Sequence, residues 1–227
     1  MVTAVLLDIE GTTSSVSFVY DVLFPYARKN LRAFLEAHWS EPEVREICGL
    51  IMKDAGSAQS EGTIDEVEQA VLQQMDRDAK LTGLKQLQGR IWRRGFESGE
   101  IRAHVYPDTA VALKRWQESG KRLFIYSSGS IEAQKLFFRH TIEGDLSAYF
   151  AGYFDTTSGG KREEKSYASI CGDIAISPEE VLFISDIEEE LDAAVSAGLK
   201  TALAARTSVP AHSRHRVVQS FAQLEVN

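Results

Sequence analysis

The sequence predicts an α/β fold in which a helical segment interrupts a parallel sheet after the first strand. The first observation is that an apolar run at residues 2–7 is followed, from about 15 to 99, by helical periodicity alone. The second is that apolar strands and amphipathic helices alternate beyond residue 100, which is typical of parallel sheets with right-handed crossovers. We therefore expect residues 1–14 and 100–227 to form a Rossmann-like core and residues 15–99 to form an inserted helical cap.

The strands of the core are predicted from short apolar runs, and its helices from amphipathic stretches that end at glycine or at a turn. The predicted strands are residues 2–7, 122–126, 153–154, 181–184 and 201–204. The predicted core helices are residues 109–119, 131–138, 164–171 and 191–197. Residues 207–215 are expected to form a polar surface loop, to which the sequence assigns no function.

The insertion carries its own helix signals. Ser40 with Glu43, and Thr63 with Glu66, have the spacing of capping boxes, which satisfy the free N–H groups at a helix start. Pro25 predicts a kink or a boundary, because proline cannot donate a backbone hydrogen bond inside a helix. The insertion is therefore predicted to be a small helical bundle.

Composition excludes several function classes. Among 227 residues, 25 Lys and Arg stand against 33 Asp and Glu, a net charge of -8. This balance argues against a nucleic-acid or membrane-surface partner, since both need a basic face. Cys48 and Cys171 lie in apolar helical patterns and are expected to be buried free thiols, which suits a reducing cytoplasm. The sequence has neither a signal-peptide pattern nor an apolar run long enough to span a membrane.

The informative polar residues follow the predicted strands. Ligands of open parallel sheets bind beyond the carboxyl ends of the strands, so these residues should share one edge. Each alone has a plain structural reading as a turn former, a helix cap or a surface charge. Their occurrence at successive strand ends is what suggests a site. They are Asp8, Glu10, Ser127, Ser128, Lys161 and Asp186.

These residue types are those that phosphoryl transfer through a covalent intermediate requires. A carboxylate can attack phosphorus to give an aspartyl-phosphate, and a second acid can protonate the leaving oxygen and then activate water. Carboxylates can hold magnesium, and the ion offsets the repulsion between the attacking carboxylate and the phosphate. Hydroxyls and a lysine can bind the phosphate oxygens. The sequence therefore indicates a phosphatase.

The motifs resemble those of the haloacid dehalogenase superfamily. Its first motif, D-x-D-G-T, is matched by residues 8–12 with Glu10 in place of the second aspartate. Ser127 matches the second motif and Asp186 the acidic fourth. For the third, Lys161 stands six residues before Tyr167, as the family pattern requires, whereas Lys165 does not.

Glu10 and four short sequence segments make the chain similar to the enolase-phosphatase family of methionine salvage. The resemblance covers nearly the whole chain. The segments are LDIEGTT at residues 7–13, VLFPYA at 22–27, YSSGS at 126–130 and GYFDT at 152–156. The resemblance implies enolisation and then dephosphorylation of 2,3-diketo-5-methylthiopentyl-1-phosphate to the acireductone 1,2-dihydroxy-3-keto-5-methylthiopentene. It also implies one Mg²⁺ per subunit and a monomer.

Roles carried over by position follow from this resemblance. Asp8 is the expected nucleophile and a metal ligand, Asp186 is a metal ligand, and Glu10 is the acid/base residue placed at the metal by side chain or backbone carbonyl. Ser127, Ser128 and Lys161 are expected to bind the phosphorylated substrate, and Glu190 to orient Lys161. The helical insert is hypothesised to close over the site and to set selectivity.

Alternative functions remain open from the sequence. Another small-molecule phosphatase of the same superfamily would use the same core residues with a different cap. A receiver module phosphorylated on aspartate also uses a parallel sheet, magnesium and a lysine, but its acceptor follows a middle strand and it lacks a bundle of this size. A dehalogenase would leave Glu10 and Asp186 without a purpose.

Overall fold

The computed structural model describes residues 1–57 and 62–226. The chain divides into two compact units, Met1–Phe18 with Arg102–Asn227, and Val19–Ile101. The boundaries expected from the sequence, at 14/15 and 99/100, lie a few residues from these. No helix in the described ranges has both the length and the apolar character that crossing a membrane requires.

The first unit is an α/β sandwich. Within the described residues its strands are β1 (Ala4–Leu7), β2 (Arg122–Tyr126), β3 (Phe150–Phe154), β4 (Val181–Ser185), β5 (Lys200–Ala204) and β6 (Arg216–Val218). Its helices are α1 (Val16–Phe18), α6 (Pro107–Glu118), α7 (Ile131–Arg139), α8 (Glu164–Ile174) and α9 (Glu188–Ser196). The helices between α1 and α6 belong to the second unit and are α2 (Phe24–His38), α3 (Pro42–Asp54), α4 (Ile64–Asp76) and α5 (Thr82–Ser98). The strand order is β3-β2-β1-β4-β5-β6. All neighbouring strands are parallel, which confirms the predicted α/β class.

The register of the sheet aligns the carboxyl ends of β1, β2 and β4. Leu7 at the end of β1 is level with Ile125 in β2 and with Ile184 in β4. All four residues of β1 are fully buried, as expected of a central parallel strand covered on both faces. The residues that follow β1, β2 and β4 therefore emerge at one edge of the sheet.

Strand β6 is absent from the sequence-based prediction. Residues 207–215 form no regular element, but the chain then pairs with β5, with Leu203 opposite Val217. The strand is only three residues long, and its burial pattern is mixed. Such a short run gives almost no periodic signal, because a strand is recognised over four to eight residues.

The second unit is a helical bundle. Its helices are α2 (Phe24–His38), α3 (Pro42–Asp54), α4 (Ile64–Asp76) and α5 (Thr82–Ser98). Its core is apolar and contributed by all four helices, with Leu35, Ile51, Val67 and Leu87 among the most buried side chains.

Two helix starts in the bundle show what local signals could and could not predict. The capping box of Thr63 and Glu66 is confirmed, with both reciprocal hydrogen bonds present at the start of α4. The one predicted for Ser40 and Glu43 is wrong: α3 begins at Pro42, and its N-cap position makes no side-chain hydrogen bond. Proline is favoured in the first helical turn because its missing N–H has no partner there in any case, and here it sets the start.

The entry to α2 is irregular, as Pro25 predicted. The chain forms a π-helical turn at Val19–Leu23 before α2 begins. The carbonyl of Leu23 accepts a hydrogen bond of 2.8 Å from the indole nitrogen of Trp92. This bond satisfies a carbonyl at the disturbed part of the helix, where a regular ladder is interrupted.

Candidate active site

Asp8 lies at the edge of the sheet directly after β1. Its backbone N–H donates to the carbonyl of Ile184 in β4, 3.0 Å away, so the residue is fixed by the sheet itself. Asp8 is buried, with only 5% of its surface exposed. Its two carboxylate oxygens have different partners. Oδ1 accepts from Nζ of Lys161 at 2.6 Å, and Oδ2 accepts a long hydrogen bond from Oγ1 of Thr12 at 3.4 Å. Asp8 is thus a buried carboxylate whose weakly held oxygen is Oδ2.

Lys161 joins two carboxylates. Its ammonium group lies 2.6 Å from Asp8 and 2.6 Å from Oε2 of Glu190. Oε2 of Glu190 also accepts from Oγ of Ser185 at 2.8 Å. Burial alone would lower the pKa of Lys161, but the charges of Asp8 and Glu190 outweigh burial and raise that pKa. Lys161 is therefore held as a cation between two acids, and the expected partnership with Glu190 is present.

The backbone around Lys161 is anchored by three hydroxyl groups. Tyr126 donates to the carbonyl of Gly159 at 2.9 Å, Ser166 to that of Gly160 at 2.9 Å, and Tyr167 to that of Lys161 at 2.6 Å. The six-residue spacing between Lys161 and Tyr167 thus corresponds to a direct contact that fixes the lysine.

Lys165, the competing lysine, lies outside this arrangement. Its side chain is 82% exposed and pairs with Glu163 at 2.9 Å. An exposed pair of this kind contributes little and positions nothing at the sheet edge. Lys161, and not Lys165, is therefore the lysine in contact with Asp8.

Asp186 follows β4, and its carboxylate lies against the backbone of Gly11. A Cβ atom built on Gly11 would come within 2.1 Å of Oδ2 of Asp186, so only glycine leaves room for this carboxylate. Burial and then the charge of Asp8 raise the pKa of Asp186 to about 7. Two acids therefore repel each other in a partly dry site, an arrangement that a bound cation would relieve.

The donor set suits magnesium. Among the described residues, no three His, Cys, Asp or Glu side chains converge closely enough to hold a metal ion by themselves. Magnesium commonly takes only one or two protein carboxylates and keeps several waters, so Asp8 and Asp186 fit it.

Glu10 is the third acid predicted for the site and lies in the loop after β1. It is exposed, and its backbone pairs with Ser14 in an isolated bridge of the loop after β1. Its carbonyl belongs to a tight loop that Ile9 organises by accepting hydrogen bonds from the N–H groups of residues 12–14.

Ser127 and Ser128 follow β2 at the same edge of the sheet. Ser127 is buried and its Oγ accepts from the N–H of Gly129 at 3.4 Å, whereas Ser128 is exposed. Within the described part of the chain, neither hydroxyl is hydrogen-bonded to Asp8. The structure thus joins Asp8 and Lys161 by a direct contact and places the two serines after β2 at the same edge of the sheet.

Sequence reasoning missed the side chain that holds this serine loop. Gln134, on α7, is 1% exposed, and its Nε2 lies 3.4 Å, 2.7 Å and 2.9 Å from the carbonyls of Ser127, Gly129 and Phe154. A polar residue on the apolar face of an amphipathic helix was the available signal, because buried amides need partners.

Comparisons with known proteins find relatives over the full length of the chain. A family model described as haloacid dehalogenase-like hydrolase matches residues 2–198. The enolase-phosphatase E1 of Aquifex aeolicus is 46% identical over 226 residues, with 100% of each chain covered. That of Alcanivorax borkumensis is 48% identical over 221 residues, covering 97% of each chain.

One solved structure is similar over the whole length. The UTR4 protein of Saccharomyces cerevisiae is 37% identical and superposes with a TM-score of 0.83, covering 99% of this chain and 100% of its own. The similarity therefore includes the helical insertion as well as the parallel sheet.

Proposed function

The chain belongs to the enolase-phosphatase family of haloacid dehalogenase-like hydrolases, and on that premise we propose that it converts 2,3-diketo-5-methylthiopentyl-1-phosphate to the acireductone 1,2-dihydroxy-3-keto-5-methylthiopentene and phosphate in methionine salvage. The observation that carries the proposal is the contact between buried Asp8 and Lys161 beside Asp186. In this proposal Asp8 is the nucleophile, Lys161 the neutralising cation and Asp186 the second acid at the same sheet edge.

Asp8 is proposed as the nucleophile. Its Oδ2 attacks phosphorus to give an aspartyl-phosphate, while Oδ1 stays paired with Lys161. Lys161 offsets the negative charge that the substrate brings to the carboxylate, and it keeps the carboxylate oriented. Thr12 donates only weakly to Oδ2, so little is lost when that oxygen turns to phosphorus.

Glu10 is proposed to move the protons of the phosphatase steps. Its exposed carboxyl group protonates the leaving oxygen and then takes a proton from the water that hydrolyses the aspartyl-phosphate. Ser127, Ser128 and Lys161 are proposed to bind the phosphorylated substrate. Ser127 is buried and Ser128 is exposed, so the two hydroxyls would contact different oxygens of the phosphate.

We propose one Mg²⁺ per subunit, held by Asp8, Asp186 and the backbone carbonyl of Glu10. When bound, the ion supplies positive charge that lets an anionic carboxylate approach an anionic phosphate. We further propose a cytoplasmic monomer. The buried free thiols of Cys48 and Cys171 suit a reducing compartment.

The helical unit is proposed to act as the cap that selects the substrate. Replacing it by a short linker should then abolish enolisation, while hydrolysis of small phosphate esters partly survives. Unchanged enolisation would contradict this role. A phosphatase of the superfamily without enolase activity would give no enol signal even with the helical unit intact.

The function is tested by measuring phosphate release from the diketone phosphate with Mg²⁺ and with excess EDTA, while enediol absorbance is recorded. We expect an enol signal, then magnesium-dependent release of phosphate, and loss of release in Asp8→Asn. Asp173→Asn, at an exposed position of α8, is the control and should behave as wild type. Release from simple esters alone would discard the substrate assignment but keep the chemistry.

A further inference from the structure

We propose that Arg206 is a positioning residue that fixes the loop after β1, and with it Asp8, through the backbone carbonyl of Thr12. Arg206 lies just beyond the carboxyl end of β5, and its side chain is only 5% exposed. A buried cation is costly unless it is paired, so the partners of Nε and Nη1 indicate what Arg206 is for. The inference rests on the proposed function, since it concerns the same nucleophile.

One edge of the guanidinium binds the loop of the nucleophile. Nε of Arg206 donates to the carbonyl of Thr12 at 2.9 Å. Thr12 is fully buried, so this carbonyl has no access to solvent and needs a protein donor. Thr12 is also the residue whose hydroxyl reaches Oδ2 of Asp8, and it follows Gly11, against which Asp186 packs. A shift of the Thr12 peptide would therefore move the surroundings of both acids.

The other edge of the guanidinium is fixed to a different part of the chain. Nη1 donates to Oδ2 of Asp108 at 2.7 Å and to the carbonyl of Gln219 at 3.2 Å. Asp108 Oδ2 also accepts from Ser220 Oγ at 2.7 Å and from the N–H of Phe221 at 2.6 Å. Burial alone would raise the pKa of Asp108, but hydrogen bonds from Arg206 and Ser220 outweigh it and lower that pKa, so the carboxylate stays charged.

Aromatic rings hold the plane of the guanidinium. Its carbon lies 4.5 Å from the ring centre of Tyr106 and 4.1 Å from that of Phe221. The backbone N–H of Tyr106 in turn donates to the carbonyl of Thr13 at 3.0 Å. Two consecutive carbonyls of the loop are thus held from one rigid cluster. The separated donors of the guanidinium let Arg206 bridge the Thr12 carbonyl and Asp108, whereas a single ammonium group cannot reach both.

A purely structural role for Arg206 would be to hold the C-terminal segment, and Arg115 provides the matched control. Nη2 of Arg115 donates to the carbonyls of Phe221 at 2.8 Å and Leu224 at 3.0 Å. Arg115 therefore anchors the same segment from α6, with its hydrogen bonds directed away from the Thr12 carbonyl. If Arg206 only held that segment, the two arginines should respond alike.

The test compares Arg206→Met with Arg115→Met in the full-length enzyme with Mg²⁺. For Arg206→Met we expect kcat to fall by about a hundredfold with little change in KM, since misplacing a catalytic group by about 1 Å costs this much. For Arg115→Met we expect kcat within about twofold of wild type. Arg206→Lys, which keeps a charge opposite Asp108, should fold and still lose at least about tenfold in kcat. Equal losses for the two methionine variants would overturn the proposal.

Hydrogen exchange separates this proposal from the proposed function. In Arg206→Met the amides of residues 9–14 should exchange faster, whereas in Arg115→Met faster exchange should be confined to residues 216–226. Unchanged exchange at residues 9–14 in Arg206→Met would overturn the positioning role whatever the substrate is. If wild type hydrolyses p-nitrophenyl phosphate but not the diketone phosphate, the substrate assignment fails, and the kcat comparison is made on the simpler ester.

Discussion

Nζ of Lys161 lies 2.6 Å from Oδ1 of Asp8, although 153 positions separate the two residues in the sequence. Both side chains are almost completely shielded from water, so the attraction is much less screened than that of a surface pair. The contact leaves Oδ2 as the carboxylate oxygen that can approach a substrate. In the proposed mechanism, Oδ2 is therefore the oxygen of Asp8 that attacks phosphorus.

Lys161→Met is expected to lower phosphatase kcat by at least about a hundredfold, because it removes the cation that offsets charge at Asp8. Phosphate release with saturating Mg²⁺ measures the effect. Lys165→Met is the matched control, since this nearby lysine is exposed and pairs only at the surface with Glu163. An equal effect of the two substitutions would show that general positive charge, and not the contact with Asp8, is what matters.

Gly11→Ala is expected to abolish magnesium-dependent activity. The new Cβ would lie 2.1 Å from Oδ2 of Asp186, and so the carboxylate must move. Gly120→Ala is the control, because Gly11 and Gly120 have φ angles of 75° and 79° but no atom lies within 4 Å of a Cβ at Gly120.

Both glycine substitutions should cost about 1–2 kcal/mol of stability, since a left-handed backbone strains any residue with a side chain. Thermal unfolding measures this shared cost, and phosphate release measures the effect at Asp186. If Gly11→Ala kept normal activity, the close approach of Asp186 to the loop would have no bearing on catalysis.

The sequence predicted the sheet and the residues at its edge for a physical reason. Central parallel strands are continuous apolar runs, and the polar residue after each run is easy to locate. Asp8, Ser127 and Asp186 follow from this rule. Lys161 lies farther from its strand than these residues do, and its exact position depends on a loop whose carbonyls are held by hydroxyls such as that of Tyr167.

Contacts between distant segments were beyond the sequence-based prediction. The local signal at Gln134 is only that of a polar residue on an apolar helix face, and Arg206 belongs to no local pattern. Each binds backbone carbonyls that any residue could provide. Strand β6 was missed because three residues give no measurable period. The sequence therefore predicted the elements with a periodic apolar pattern and the residues next to them. It did not predict side chains whose role depends on hydrogen bonds between distant segments.

Gln134→Met is expected to raise KM for the phosphorylated substrate several-fold with a smaller change in kcat. The substitution keeps the volume but removes the donors that hold the carbonyls of Ser127 and Gly129, so the proposed phosphate-binding loop becomes less ordered. Steady-state kinetics would detect the split. Gln74→Met removes a comparable buried amide that donates to Ile51 in the helical unit, and should lower stability without this rise in KM.

Asp186→Asn is expected to stabilise the metal-free protein, and the gain should depend on pH. Burial and the charge of Asp8 raise the pKa of Asp186 to about 7, above the value of about 4 expected in the unfolded chain. The folded state therefore binds this proton more tightly, and the stability of wild type falls as pH rises from about 4 to about 7. Asparagine does not titrate, so the variant escapes that loss.

The melting temperature measured in EDTA between pH 4 and pH 8 tests this argument. The advantage of Asp186→Asn over wild type should be smallest near pH 4, grow up to about pH 7 and stay constant above it. Asp173→Asn, at an exposed position, should show no such trend. Added Mg²⁺ should raise the melting temperature of wild type above pH 7 and have little effect on Asp186→Asn, because a cation can relieve only the repulsion that two ionised acids create. A pH-independent difference between the variant and wild type would mean that Asp186 is ionised throughout this range and that the loop around Gly11 already compensates its charge.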